Sequence, residues 1–291
     1  MIRPKRVLII ATSIVVQLLG LTFPRGWTQS SIAQSSIGSA GSPAIPGAAY
    51  VLDWENPADR TLPAAPPSGW VKEYDPSVRR GGEPQIRTAH TPVEPVRSGQ
   101  WSARFQLYKG DPVIHGGTRA ELAAGLEPVN AERWYGLSIY LPYTWTNDRS
   151  AEIVTQWHQH WDICCSPSLA IQTRKGQWEI GQSWDGYNKS TPIGPYQTGR
   201  WTDWVVHVKW SAGGSGVLDI WRDGRPVPGF FNKIGTNTYR SSTGNYLKIG
   251  IYKWDWSQNH PSDTTRRVMY VDELRVSDSR GSYRAVAPRN P

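Results

Sequence analysis

Cysteine is scarce in this chain of 291 residues: there are two, Cys164 and Cys165, and they are adjacent. Neighbouring cysteines cannot staple distant segments together, so no disulfide framework supports the fold and a hydrophobic core has to suffice. The pair also suits a metal poorly, even with His158 and His160 nearby, because adjacent thiols seldom reach one ion with good geometry; no metal site is expected. Phenylalanine is sparse too, with 4 against 16 Trp and 13 Tyr. No amphipathic helical pattern runs along the chain, no segment repeats, and no strand-like segment carries acids at i, i+2 and i+4. That last absence argues against a glycoside hydrolase, which needs two carboxylates about 5–9.5 Å apart. Asp272 and Glu273 are sequence neighbours and would point to opposite faces of a strand.

The one long apolar run is at the start. Arg3, Lys5 and Arg6 precede residues 7–23, and a Ser-rich stretch follows, which is the layout of a secretory signal. Ser31-Ile32-Ala33 offers small residues for cleavage, so residues 1–33 are read as a signal peptide and the protein as secreted or periplasmic. The run is short for a membrane span and Gln17 interrupts it, so no stable membrane association is expected after cleavage. The formal charge of +8 includes Arg3, Lys5, Arg6 and Arg25; without them 28 basic residues face 24 acidic ones, a net +4. Nucleic-acid binding loses most of its support, while a mildly basic exported protein fits an anionic polymer. Residues 34–49 read as a flexible linker of small residues, Gly and Pro, and residues 50–291 as a single domain.

From Trp101 onward short alternating segments are separated by Gly, Pro, Asn and Asp. Strands are predicted over 133–141, 151–160, 169–173, 178–183, 204–210, 216–222, 246–252 and 268–276, with a hairpin turn at Asp223-Gly224. Many strands and no helix predict an all-β protein, a concanavalin A-like jelly roll of two antiparallel sheets. Any single Trp is read as core, but the excess of Trp and Tyr, which stack on sugar rings, points to some in a carbohydrate groove. A lectin-like binding module on the same fold would explain that excess equally well.

Three segments place polar groups on one face. In 246–252 the odd residues Leu247, Ile249 and Ile251 face the core, leaving Tyr246, Lys248, Gly250 and Tyr252 together, the glycine giving a ligand access to the backbone. Over 152–158, Gln156 and His158 oppose Ile153 and Trp157. Over 115–122, which His115 opens, Arg119 and Glu121 oppose Ala120 and Leu122. A binding module does not explain why such groups share faces.

In this order the three segments resemble the R-x-E, Q-x-H and Y-x-K-x-G-x-Y motifs of jelly-roll alginate lyases. With His115 and the wider context they are more similar to the glucuronan lyase and heparin lyase I-like group of polysaccharide lyases. The resemblance covers about residues 100–278. Leu247 stands where alginate lyases usually carry an aromatic, and Trp254 where they tend to have a polar amide, which counts against alginate as substrate.

The resemblance implies a carbon–oxygen lyase that cuts a uronate-containing polysaccharide by β-elimination and leaves a 4,5-unsaturated uronate end. It assigns His115, Arg119, Gln156, His158 and Tyr252 to catalysis, with Tyr246, Lys248, Glu121 and Trp254 binding substrate. The chemistry suits them: Gln156, His115 and Arg119 can neutralise the uronate carboxylate and hold the charge that develops when the C5 proton leaves. Tyr252 serves as base, as acid to the leaving oxygen, or as both, with Lys248 and Arg119 expected to favour its phenolate; His158 is the other base. Glu121 is expected to orient Arg119. His207 is placed on the outer sheet. No cofactor is required, calcium is not readable from the residues, and a monomer acting on an anionic polysaccharide is expected.

Overall fold

The apolar half of each strand finds its partner across a second sheet. The computed structural model describes residues 47–160, 163 and 166–289, and these form two large antiparallel sheets. The signal peptide, most of the linker, and Cys164 and Cys165 lie outside the described residues. One sheet runs Tyr187–Pro195, Gln177–Trp184, Leu169–Arg174, Glu152–His158, Tyr246–Tyr252, Gly117–Ala123 and Val71–Glu73, with Val113–Ile114 beside Gly117–Ala123. The other runs Arg225–Pro226, Val217–Arg222, Arg200–Lys209, Glu132–Leu141, Arg266–Ser277, Trp101–Tyr108 and Ile86–His90, with Ala48–Leu52 and Lys233–Ile234 as further partners. This is the jelly-roll sandwich. Its first strand begins two residues inside the stretch read as linker.

Leu247, Ile249, Ile251, Ala120, Leu122 and Trp157 from the first sheet join Tyr135, Leu137, Ile139, Val206, Met269 and Val271 from the second in one core. Tyr135 meets Trp157 edge-on with ring centroids 5.2 Å apart, and Trp178 meets Trp204 likewise at 5.2 Å. Each such buried aromatic contributes about 1.5–3 kcal/mol by leaving water. Trp54, Trp70, Trp145, Trp157, Trp178, Trp204, Trp210 and Trp256 are buried, so eight of the 14 tryptophans among the described residues serve the core rather than a groove. Asp223 and Gly224, at φ 50° and 76°, turn the expected hairpin.

Two local departures from the alternating reading matter. Ile153 pairs with Tyr252 and with Gln172, while Val154 enters the core, because the register shifts between Ile153 and Thr155. A bulge there reverses the face of everything before it, so Ile153 joins the face of Gln156 instead of opposing it. Gly250 also has a different reason from ligand access. Its φ is +130°, and a Cβ there would lie 2.2 Å from the Ala120 carbonyl oxygen of the neighbouring strand. Gly250→Ala is therefore expected to cost about 3 kcal/mol, read as a lowered urea midpoint; an unchanged midpoint would show that the strands can part.

Candidate active site

Cross-strand register gathers the polar faces. Ser190, Gly181, Ala170, Gln156, Lys248 and Ala123 lie opposite one another in a row across six strands. Beside it Gln172, Ile153, Tyr252 and Arg119 form a second row, and Gly250, Glu121 and Glu73 a third. Small side chains at Gly181 and Ala170 leave the first row low on one side of Gln156.

At the middle of this face two cations meet two carboxylates. Arg119 donates to Glu73 at 3.0 Å and to Glu121 at 3.1 Å, and Lys248 donates to Glu73 at 2.8 Å. All four are buried. Gln156, also buried, donates from Nε2 to Glu121 at 2.6 Å, while its Oε1 and the Nε of Arg119 have no hydrogen-bond partner among the described residues. Glu121 thus orients Arg119, as expected, but it also occupies the Gln156 amide that was read as a donor to substrate. Glu73 went unnoticed in the sequence. It sits at the end of a three-residue edge strand, Val71–Glu73, too short for alternation to show.

His115 and Gly116, at φ 46° and 80°, form the two-residue turn between Val113–Ile114 and Gly117–Ala123. The imidazole is exposed, and its Nδ1 lies 3.7 Å from Glu73. Tyr252 is half-buried: the Arg119 guanidinium lies 4.1 Å from its ring centroid, and a Cβ on Gly117 would strike the ring at 2.2 Å. Gly117 is thus the space in which Tyr252 stands. Trp254 opens the short helix Trp254–Ser257 after the strand, its ring 6.0 Å from that of Tyr252. At the opposite end of the strand Tyr246 lies 5.9 Å from His158, ring to ring, and 5.1 Å from the Lys248 ammonium. The structure therefore brings His158 beside Tyr246 and sets Tyr252 over Arg119.

Burial governs the protonation of these groups. It raises the Tyr252 phenol above its ordinary value, and the help from Arg119 and Lys248 is offset by Glu121 and Glu73, so phenolate is not favoured. Tyr246 is raised by burial too. Burial and then Lys248 push His158 down to about 4. Its Nδ1 donates to the Gln159 carbonyl at 2.7 Å, which leaves the lone pair on Nε2. Burial would raise Glu73, but Lys248 and Arg119 outweigh it and hold that carboxyl low, whereas burial prevails at Glu121 and raises it. His207 is on the second sheet, between Asp219 and Glu132 at 3.0 Å each. Among the described residues no three His, Cys, Asp or Glu side chains cluster to hold a metal.

The model of one protein family, described as polysaccharide lyase, matches residues 78–275. The chain belongs to the polysaccharide lyase family. Structural neighbours of this polysaccharide lyase include other lyases and a glycoside hydrolase. An endo-β-1,4-glucuronan lyase from Trichoderma reesei superposes with a TM-score of 0.60 at 19% identity, over 72% of this chain and 92% of its own. An alginate lyase from Pseudomonas aeruginosa gives 0.43 at 18%, over 61% and 83%. The catalytic domain of a glycoside hydrolase family 131 protein from Coprinopsis cinerea gives 0.49 at 15%, over 78% and 92%. At 19% identity the likeness to the glucuronan lyase is one of fold. No curated protein sequence matches this lyase. The family agrees with the resemblance carried by the three strand motifs.

Proposed function

We propose that this lyase cleaves an anionic polysaccharide next to a uronic acid by β-elimination, most readily a glucuronan-like polymer, after export from the cell. The observation that carries the reading is the buried pair Arg119 and Lys248 beside Gln156, on the face that also holds His158 and two tyrosines. Elimination needs the uronate carboxylate neutralised before the C5 proton can leave, and cations held in a dry site do this far better than in water. His158, neutral down to about pH 4 with Nε2 unprotonated, stands at the Tyr246 end of the strand, so the imidazole placed to take the C5 proton of a sugar at Tyr252 is that of His115, in the turn that leads into Gly117. Tyr252, which burial keeps protonated, is suited to hand a proton to the leaving glycosidic oxygen. The exposed His115 and half-buried Trp254 flank the sugar on either side of Tyr252 in this reading.

The test is a panel of glucuronan, alginate, heparin and hyaluronan, followed by ultraviolet absorbance of the unsaturated uronate product. A rise on glucuronan is expected, with the other polymers slower. New reducing ends without absorbance would mean hydrolysis, and binding with neither signal would mean a non-catalytic module.

A further inference from the structure

Two buried atoms of the site have no partner, and one of them has a direct chemical implication. Gln156 is fully buried; its amide nitrogen serves Glu121, and its amide oxygen has no hydrogen-bond partner among the described residues. A buried polar atom without a partner costs about 1–3 kcal/mol, a cost that is relieved when a donor reaches that oxygen. Around Glu121 the charges already balance: Arg119 on its own strand, Lys248 on one neighbouring strand and Glu73 on the other. Tyr252 and Tyr246 on the Lys248 strand, His158 beyond it, and His115 at the turn are the titratable groups nearest to them, and Glu179 with its partner Arg174 lies farther out on this face beside Gln172. A uronate carboxylate arriving here is a third anion facing two cations, and the surplus charge has to go.

Resting on the uronate reading above, we propose that substrate binding draws one proton from solvent onto Glu121, whereupon the Gln156 amide turns over and donates to the uronate carboxylate. The new carboxyl O–H of Glu121 donates to Gln156 Oε1, which is thereby satisfied. Nε2 moves to the position the unpartnered oxygen held, which is closed to solvent in the free chain, so the uronate carboxylate reaches it by displacing the side chains that cover it. Glu73 stays charged between Lys248 and Arg119, so the proton goes to the carboxyl that burial already favours in its neutral form. Glu121 is on this account a positioning residue that acts through Gln156.

The uptake can be counted by calorimetry of the full chain with limit-digest oligosaccharides from the uronate polymer it cleaves, in buffers of different ionisation heat. About one proton taken up per bound ligand is expected, with affinity weakening up to about tenfold per pH unit above the carboxyl's own value, because protonation accompanies binding. Glu121→Gln, checked for folding by circular dichroism, should bind with no proton uptake and a flat pH dependence. Binding without proton uptake in the unaltered chain overturns the proposal and leaves the uronate reading standing. Failure to bind or cleave any uronate polymer overturns both.

Discussion

Tyr252→Phe is expected to lower turnover about 10²–10⁴-fold while polysaccharide binding survives, the loss typical of a general acid or base. Only the phenolic oxygen is removed. The ring keeps its place against Gly117 and the Arg119 guanidinium, so the neighbouring side chains have no reason to move. Tyr246→Phe is the necessary companion, because Tyr246 is the tyrosine next to His158 and its hydroxyl is the geometric rival. A loss of less than about tenfold is expected there, below the roughly 10²-fold that removing a general acid or base costs. Rates would be read from unsaturated product and binding from calorimetry. Unaltered turnover in Tyr252→Phe removes that residue from the reaction, and a collapse in Tyr246→Phe alone would place the acid at the His158 end of the strand.

Lys253→Met should destabilise the fold by about 3–5 kcal/mol, the usual result of breaking a buried ion pair from one side. Lys253 lies between Tyr252 and Trp254 but points the other way, and it is wholly buried. Its ammonium donates to Glu152 and lies 3.3 Å from Asp148, while Arg267 reaches Glu152 at 2.8 Å and Thr173 donates to the same carboxylate at 2.7 Å. Methionine keeps the stem and deletes the charge, leaving two buried carboxylates to share Arg267. For a domain of this size the loss corresponds to a fall in melting temperature of about 6–20 °C. The exposed Arg280–Asp278 pair is the control, and its removal should leave the midpoint unmoved. A shift as small for Lys253→Met would mean that water reaches the cluster.

The strand Tyr246–Tyr252 could be read to the residue because it is regular and half-buried: Leu247, Ile249 and Ile251 alternate with polar groups, and nothing but a two-sided strand yields that pattern. Arg119 with Glu121, and Gln156 with His158, were legible for the same reason. Ile153 was not, since a bulge is a backbone event that leaves no mark on the order of side chains. Glu73 was not, because a three-residue edge strand has too few positions to show a period, and its partners lie 46 and 175 residues away. Protonation was misread for a different cause. Two cations near Tyr252 could be foreseen from sequence spacing, but the burial and the second carboxylate that cancel them exist only once the sheet is assembled.

The strands of this sheet are committed on both sides. The residues between the active positions hold Trp157 against Tyr135 and the isoleucines against the opposite sheet, and Gly117 and Gly250 have no room for a side chain. Diversification of such a site is therefore confined to its margins. New substrate preferences can arise cheaply at the exposed turn bearing His115 and at Gly181, where an added Cβ would meet no atom nearer than 3.4 Å, while the centre stays fixed for as long as the fold does.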